Sequence, residues 1–119
     1  MKENVIKDKS YKFALRITKL FKHLVDSKVD YVLARQILKS GTSIGANVEE
    51  ALGGQSKKDF AAKLYVAYKE ARETNYWLRL LKDSDYLELK LADSLINECE
   101  EIQKIIASIQ ITLKKDKAN

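Results

Sequence analysis

The segment from Ser40 to Ala51 has the composition of a loop and the spacing of a helix. It carries two glycines, two serines, a threonine and an asparagine. Yet Ala34, Ile37, Gly41, Ile44, Val48 and Ala51 recur at steps of three and four, the period of one helical face. A glycine inside a helix costs about 1 kcal/mol relative to alanine. Two of them, Gly41 and Gly45, stand four residues apart and mark a place where a neighbouring backbone must come close. The spacing therefore predicts a helix over 31–52 with a narrow waist, pressed against other helices.

The rest of the chain supplies those helices. Phe13, Ile17, Leu20 and Leu24, widened by Ala14, Phe21 and Val25, predict a first helix over 10–27 with Ser10 as its N-cap. Gly53 and Gly54 end the second helix, as glycine does where a left-handed residue is wanted. Ser56 with Asp59 resembles a capping box for a third helix over 57–82. Its seam runs Phe60, Leu64, Ala67, Ala71, Thr74, Leu78 and Leu81. Asp85 with Glu88 resembles a second such start, for a helix over 86–114. That helix is expected to bury Leu91, Leu95, Ile102, Ile105, Ile106, Ile109 and Leu113, with Glu98 falling inside the seam and in need of a partner. Residues 115–119 are expected to fray. Short links force neighbours to run antiparallel. The fold expected is thus a single all-α domain over 1–119, an antiparallel up-down-up-down four-helix bundle.

Composition limits what such a bundle can do. About a third of residues are charged and there is no proline, which suits long helices. The net charge of +5 hints at an anionic partner. No apolar run approaches the roughly 18 residues of a membrane span, so no membrane partner is expected. The charged start has no signal-peptide core, and the lone Cys99 precludes an internal disulfide; both fit the cytoplasm.

Enzyme chemistry finds little material. One histidine, His23, and one cysteine cannot supply the roughly four ligands of a zinc site. Neither Glu49-Glu50 nor Glu100-Glu101 belongs to a Glu-x-x-His pair, so no di-iron centre is expected. The Gly53-Gly54-Gln55-Ser56 run lacks the Walker lysine and follows no strand. No catalytic residue, cofactor, metal or small-molecule substrate is expected.

The basic residues carry more. Lys9, Lys12, Arg16, Lys19 and His23 advance by three and four along the first helix and share a stripe. Tyr65, Lys69, Arg72, Tyr76 and Arg79 do the same on the third, nearly opposite its apolar seam. Tyrosines interleaved with cations suit a phosphate backbone with stacked bases. Exposed aromatics with arginine also suit a subunit contact, and a charged stripe can simply be a solvated face. Lys9, Lys12, Arg16, Lys19, Lys69, Arg72 and Arg79 are thus candidate nucleic-acid contacts, and Tyr65, Tyr76 and Trp77 candidate interface residues. Trp77 either widens the core or anchors that interface.

Three blocks carry a wider likeness: Ser40 to Ala51 (SGTSIGANVEEA), Ser56 to Phe60 (SKKDF) and Lys69 to Leu78 (KEARETNYWL). They resemble the bacterial four-helix-bundle family known as 23S rRNA intervening-sequence proteins, over nearly the whole chain from Phe13 to about Ile109. The resemblance implies a bundle that assembles into a ring, typically a pentamer. Relatives include the accessory protein of diversity-generating retroelements, a basic pentamer that works with a reverse transcriptase and nucleic acid. The resemblance brings no catalytic residues with it. The expected function is a non-enzymatic oligomeric scaffold that binds RNA or another nucleic acid weakly. The alternative is a protein–protein adaptor without a nucleic-acid role.

Overall fold

The computed structural model describes residues 1–118, with side chains through Asp116. Four helices follow one another: α1 (Lys2–Asp26), α2 (Tyr31–Leu52), α3 (Lys57–Asp83) and α4 (Leu89–Ala118). No strand occurs among the described residues. Each helix packs on its neighbours in sequence, and α4 closes the ring against α1 along the most sparsely packed of the four sides. The diagonal pairs, α1 with α3 and α2 with α4, bring no Cα atoms within 8 Å of each other among the described residues. The result is an all-α four-helix bundle 52 × 21 × 20 Å in extent.

The glycine-bearing segment is continuous helix, with Ser40, Gly41, Ile44, Gly45 and Val48 all buried. Its thin side meets α1. A Cβ placed on Gly41 would lie 2.8 Å from both Cγ atoms of Ile17, and one on Gly45 would lie 3.3 Å from the Ser10 carbonyl oxygen. Missing side chains let the two helices approach here, which explains glycines that helix propensity alone would reject. Thr42, Ser43 and Asn47 turn their polar groups back onto the carbonyls of Leu38, Lys39 and Ser43 in the preceding turn. Local bonding therefore satisfies these three loop-like side chains without breaking the helix, while the buried Ser40 hydroxyl has no hydrogen-bond partner among the described residues.

Helix α1 begins at Lys2, eight residues before the expected start. Ile6 continues the Phe13–Ile17–Leu20–Leu24 seam and is buried. Ser10 is not a cap: it is buried, its hydroxyl donating to the Lys7 carbonyl, and it is the small residue beneath Gly45. Val25, expected in the core, is 38% exposed. At the first turn Asp30 caps α2, accepting from the N–H groups of Val32 and Leu33.

The other two links also differ in detail. Gly53 ends α2 at φ −86°, so no left-handed residue is used. Gly54 is glycine for space instead: a Cβ there would sit 3.1 Å from the Ala51 carbonyl. Ser56 caps α3 by accepting from Asp59 N–H, as its spacing predicted. The Asp85/Glu88 pair does not open α4. Asp85 takes a left-handed conformation, φ 61°, while Leu87 in the connection is buried, and the helix starts only at Leu89. At its far end α4 runs on through Ala118 where fraying was expected from residue 115; Asn119 lies outside the described residues.

In α4 the fully buried positions are Ala92, Leu95, Cys99, Ile102, Ile106 and Ile109, while Leu91, Ile105 and Leu113 pack only at the core edge. The register puts Cys99 inside and Glu98 beside it. The Cys99 thiol donates to the Ala71 carbonyl, and burial, with the nearby Glu100 carboxylate, pushes its pKa up to about 12. A thiol so held stays protonated and behaves as a small core residue.

Candidate nucleic-acid interface

The two basic stripes lie on helices at opposite corners of the bundle, α1 and α3 being diagonal to each other. Each flanks α4 from a different side, and their surroundings differ.

On α1 the stripe splits. Lys9 pairs with Glu101 of α4 at 2.9 Å. Arg16 pairs with Glu98 at 2.5 Å and also donates to the Ser94 hydroxyl. Glu98 therefore has its partner on the helix that closes the ring. These bridges staple the sparsely packed α1–α4 side. Each is half exposed, so each is worth about 0.2–1 kcal/mol at most. Lys12, Lys19 and His23 remain exposed. Of the stripe's Lys9, Lys12, Arg16 and Lys19, two are thus already engaged by carboxylates of the same chain.

On α3 the stripe stays whole. Tyr65 is 56% and Tyr76 50% exposed. Lys69, Arg72 and Arg79 are exposed beside them, and none forms an ion pair among the described residues. The Lys69 ammonium stands 5.8 Å from the Tyr65 ring centre, within cation–π reach. Arg79 Nε donates to Asn75 Oδ1, which leaves the rest of its guanidinium for a partner. Tyr76 meets Trp77 edge to face at 5.1 Å. Trp77 packs against the core while Tyr76 stays outside, so the indole supports the outer ring. The indole N–H is buried without a hydrogen-bond partner.

Arg72, Tyr76, Arg79 and Lys69 line one shallow depression of about 470 Å³ with Gln103 of α4. Glu73 is the carboxylate on that lining. Behind it, partial burial raises the Glu70 carboxyl above its ordinary range, with the Glu73 charge adding to the effect. The α4 wall was missed by a reading that followed one helix at a time. Its signal was present in Gln103, Ala107, Gln110 and Lys114, which recur at steps of four, three and four.

No group of three or more potential metal-binding side chains occurs among the described residues. Among the described residues no helix is long and apolar enough to cross a membrane.

These features define an all-α four-helix bundle with a cationic, aromatic outer face on its third helix. The chain belongs to the 23S rRNA-intervening sequence protein family, which it matches over residues 2–108. It is also similar to a protein of unknown function from the S23 ribosomal protein family of Bacteroides thetaiotaomicron VPI-5482, known from a crystal structure. The two share 50% sequence identity, with 92% of this chain and 98% of that chain covered, and superpose with a TM-score of 0.90. No curated protein matches the chain.

Proposed function

We propose that this protein is a non-enzymatic bundle that self-associates, as a pentamer by family likeness, and binds RNA or another nucleic acid weakly through the α3 face. One observation carries this reading: three cations with no carboxylate partner among the described residues flank two half-exposed tyrosines on one side of one helix. Phosphates supply the missing counter-charge, and the rings offer stacking surfaces for bases. The family description and the S23 ribosomal name of the similar protein both point to rRNA, so RNA is the first ligand to test. The α1 stripe contributes less, because Lys9 and Arg16 are held by Glu101 and Glu98.

Fluorescence anisotropy of the intact protein with labelled RNA and DNA at low and moderate salt tests this function. Binding should be measurable at low salt and fall steeply as salt rises, since counterion release drives it. Absence of binding at both salt concentrations rejects the nucleic-acid role.

The Tyr76–Trp77 pair beside Arg72 favours one other reading, in which this face is a subunit contact of a protein–protein adaptor. In that case the double change Tyr76→Ala with Arg72→Ala dissolves the oligomer in light scattering while circular dichroism stays helical. An unchanged oligomer leaves the face free for nucleic acid.

A further inference from the structure

A second, larger concavity of about 770 Å³ lies between the N-terminal part of α3 and the C-terminal part of α4. Ala61, Tyr65, Tyr68 and Leu113 give it an apolar and aromatic lining, and Lys57, Lys58 and Lys114 add positive charge. It is continuous in register with the depression at Arg72 and Tyr76. The Cys99–Ala71 hydrogen bond and the Lys82–Asp93 ion pair place α3 and α4 side by side and antiparallel. On α4 the linings use Gln103, Gln110 and Lys114, spaced seven and four apart and so on one face. On α3, Ala61, Tyr65, Lys69, Arg72, Tyr76 and Arg79 advance by three and four. Tyr65 of one hollow and Lys69 of the other stand one helical turn apart, the ammonium 5.8 Å from the ring centre.

From this juxtaposition we infer that the α3–α4 side is one groove for unpaired RNA, its bases stacking on Tyr65, Tyr68 and Tyr76 and its phosphates meeting the lysines and arginines between them. The inference rests on the nucleic-acid reading above and narrows it to single strands. Charge complementarity selects the occupant. Lys57, Lys58, Lys114, Lys69, Arg72 and Arg79 line the groove against only Asp116 and Glu73, and none of the six forms an ion pair among the described residues. Ring chemistry selects the single strand. A duplex keeps its bases stacked inside and would meet only the cations, leaving the tyrosines unused; separated bases stack on aromatic side chains. From Lys58 to Arg79 the helix rises about 30 Å. That suits the short end of the single-strand range, about 4–16 nucleotides.

The test uses the intact protein with a labelled oligouridylate of about 12 nucleotides and an RNA duplex of equal length. The single strand should bind at least about tenfold more tightly, and Tyr68→Ala should weaken it by about 5- to 100-fold while Tyr68→Phe restores it. Tyr65→Ala, at a side chain 56% exposed, should do the same where lost packing is not the cause. Emission from Trp77, the sole tryptophan and the neighbour of Tyr76, should change on adding the single strand. Equal binding of the duplex, or tyrosine variants that bind like the parent, overturns the single-strand groove and leaves the basic-face function standing. Displacement by poly-glutamate at equal charge as effectively as by unlabelled oligouridylate also overturns it, because the groove would then suit an acidic protein segment. Failure of both RNAs to bind removes the wider function with it.

Discussion

Gly41→Leu is expected to destabilise the bundle by about 3 kcal/mol or more, the upper end of what overpacking costs. Leucine is a better helix former than glycine by nearly 1 kcal/mol, so propensity alone predicts a gain. Packing decides the sign. Even a Cβ at Gly41 would stand 2.8 Å from two carbons of Ile17 and 3.2 Å from its Cβ. Ile17 is fully buried, and β-branching in a helix leaves it essentially one side-chain rotamer. It cannot swing away, so α1 and α2 must separate, and the shared core opens with them. At Gly45 the nearest atom is the Ser10 carbonyl at 3.3 Å, a tight contact that a shift of a few tenths of an ångström relieves. Gly45→Ala should therefore fall within about 1 kcal/mol of the parent, its propensity gain offset by that shift. Denaturant unfolding followed by circular dichroism reads both. A Gly41→Leu protein as stable as the parent would mean that the α1–α2 approach is looser than described.

The second large effect is on binding. Arg72→Glu with Arg79→Glu should weaken RNA binding on the order of 100-fold at low salt and reduce the slope of log affinity against log salt by about two. Both side chains are exposed and have no carboxylate partner among the described residues, so stability should change by less than about 0.5 kcal/mol. Lys12→Glu with Lys19→Glu is the matched control. It alters net charge identically, on the corner of the bundle diagonal to α3. Only a few-fold loss is expected there. Anisotropy titrations across salt concentrations distinguish local contact from overall charge; equal losses in the two double variants would show that overall charge alone drives binding.

The bundle was legible because three seams keep strict helical spacing. Every residue expected on the α2 face is buried, as is the α3 seam from Leu64 to Leu81. Legibility failed where one residue had to carry the signal. Ile6 is the single seam residue in a highly charged opening segment, and it becomes core only because α1 continues outward beside α4, as the Lys2–Ser108 and Lys9–Glu101 contacts show. Leu87 holds the last connection by its burial, which delays α4 by three residues in a way no capping pattern announces. Leu95 and Ile102 of the expected α4 seam are buried, but the inner position between them belongs to Cys99 rather than Glu98, whose charge Arg16, 82 residues away in sequence, meets.

The site followed the same logic. The α3 stripe was visible because its charges and rings share one helix. That Lys9 and Arg16 would be engaged by α4 was not, since pairing across the ring depends on how the bundle closes. Nor was the groove, whose second wall is made of uncharged Gln103 and Gln110. Periodicity finds faces; which faces stand together is decided by packing.

The α3 placement is tested most directly by ultraviolet crosslinking of a uridine oligonucleotide to the intact protein, with crosslinked residues located by mass spectrometry. The bases should attach on the α3–α4 side, at Tyr65, Tyr68 or Tyr76. Crosslinks confined to α1 or α2, for instance at Tyr11 or Tyr31, which are equally open to solvent, would contradict it.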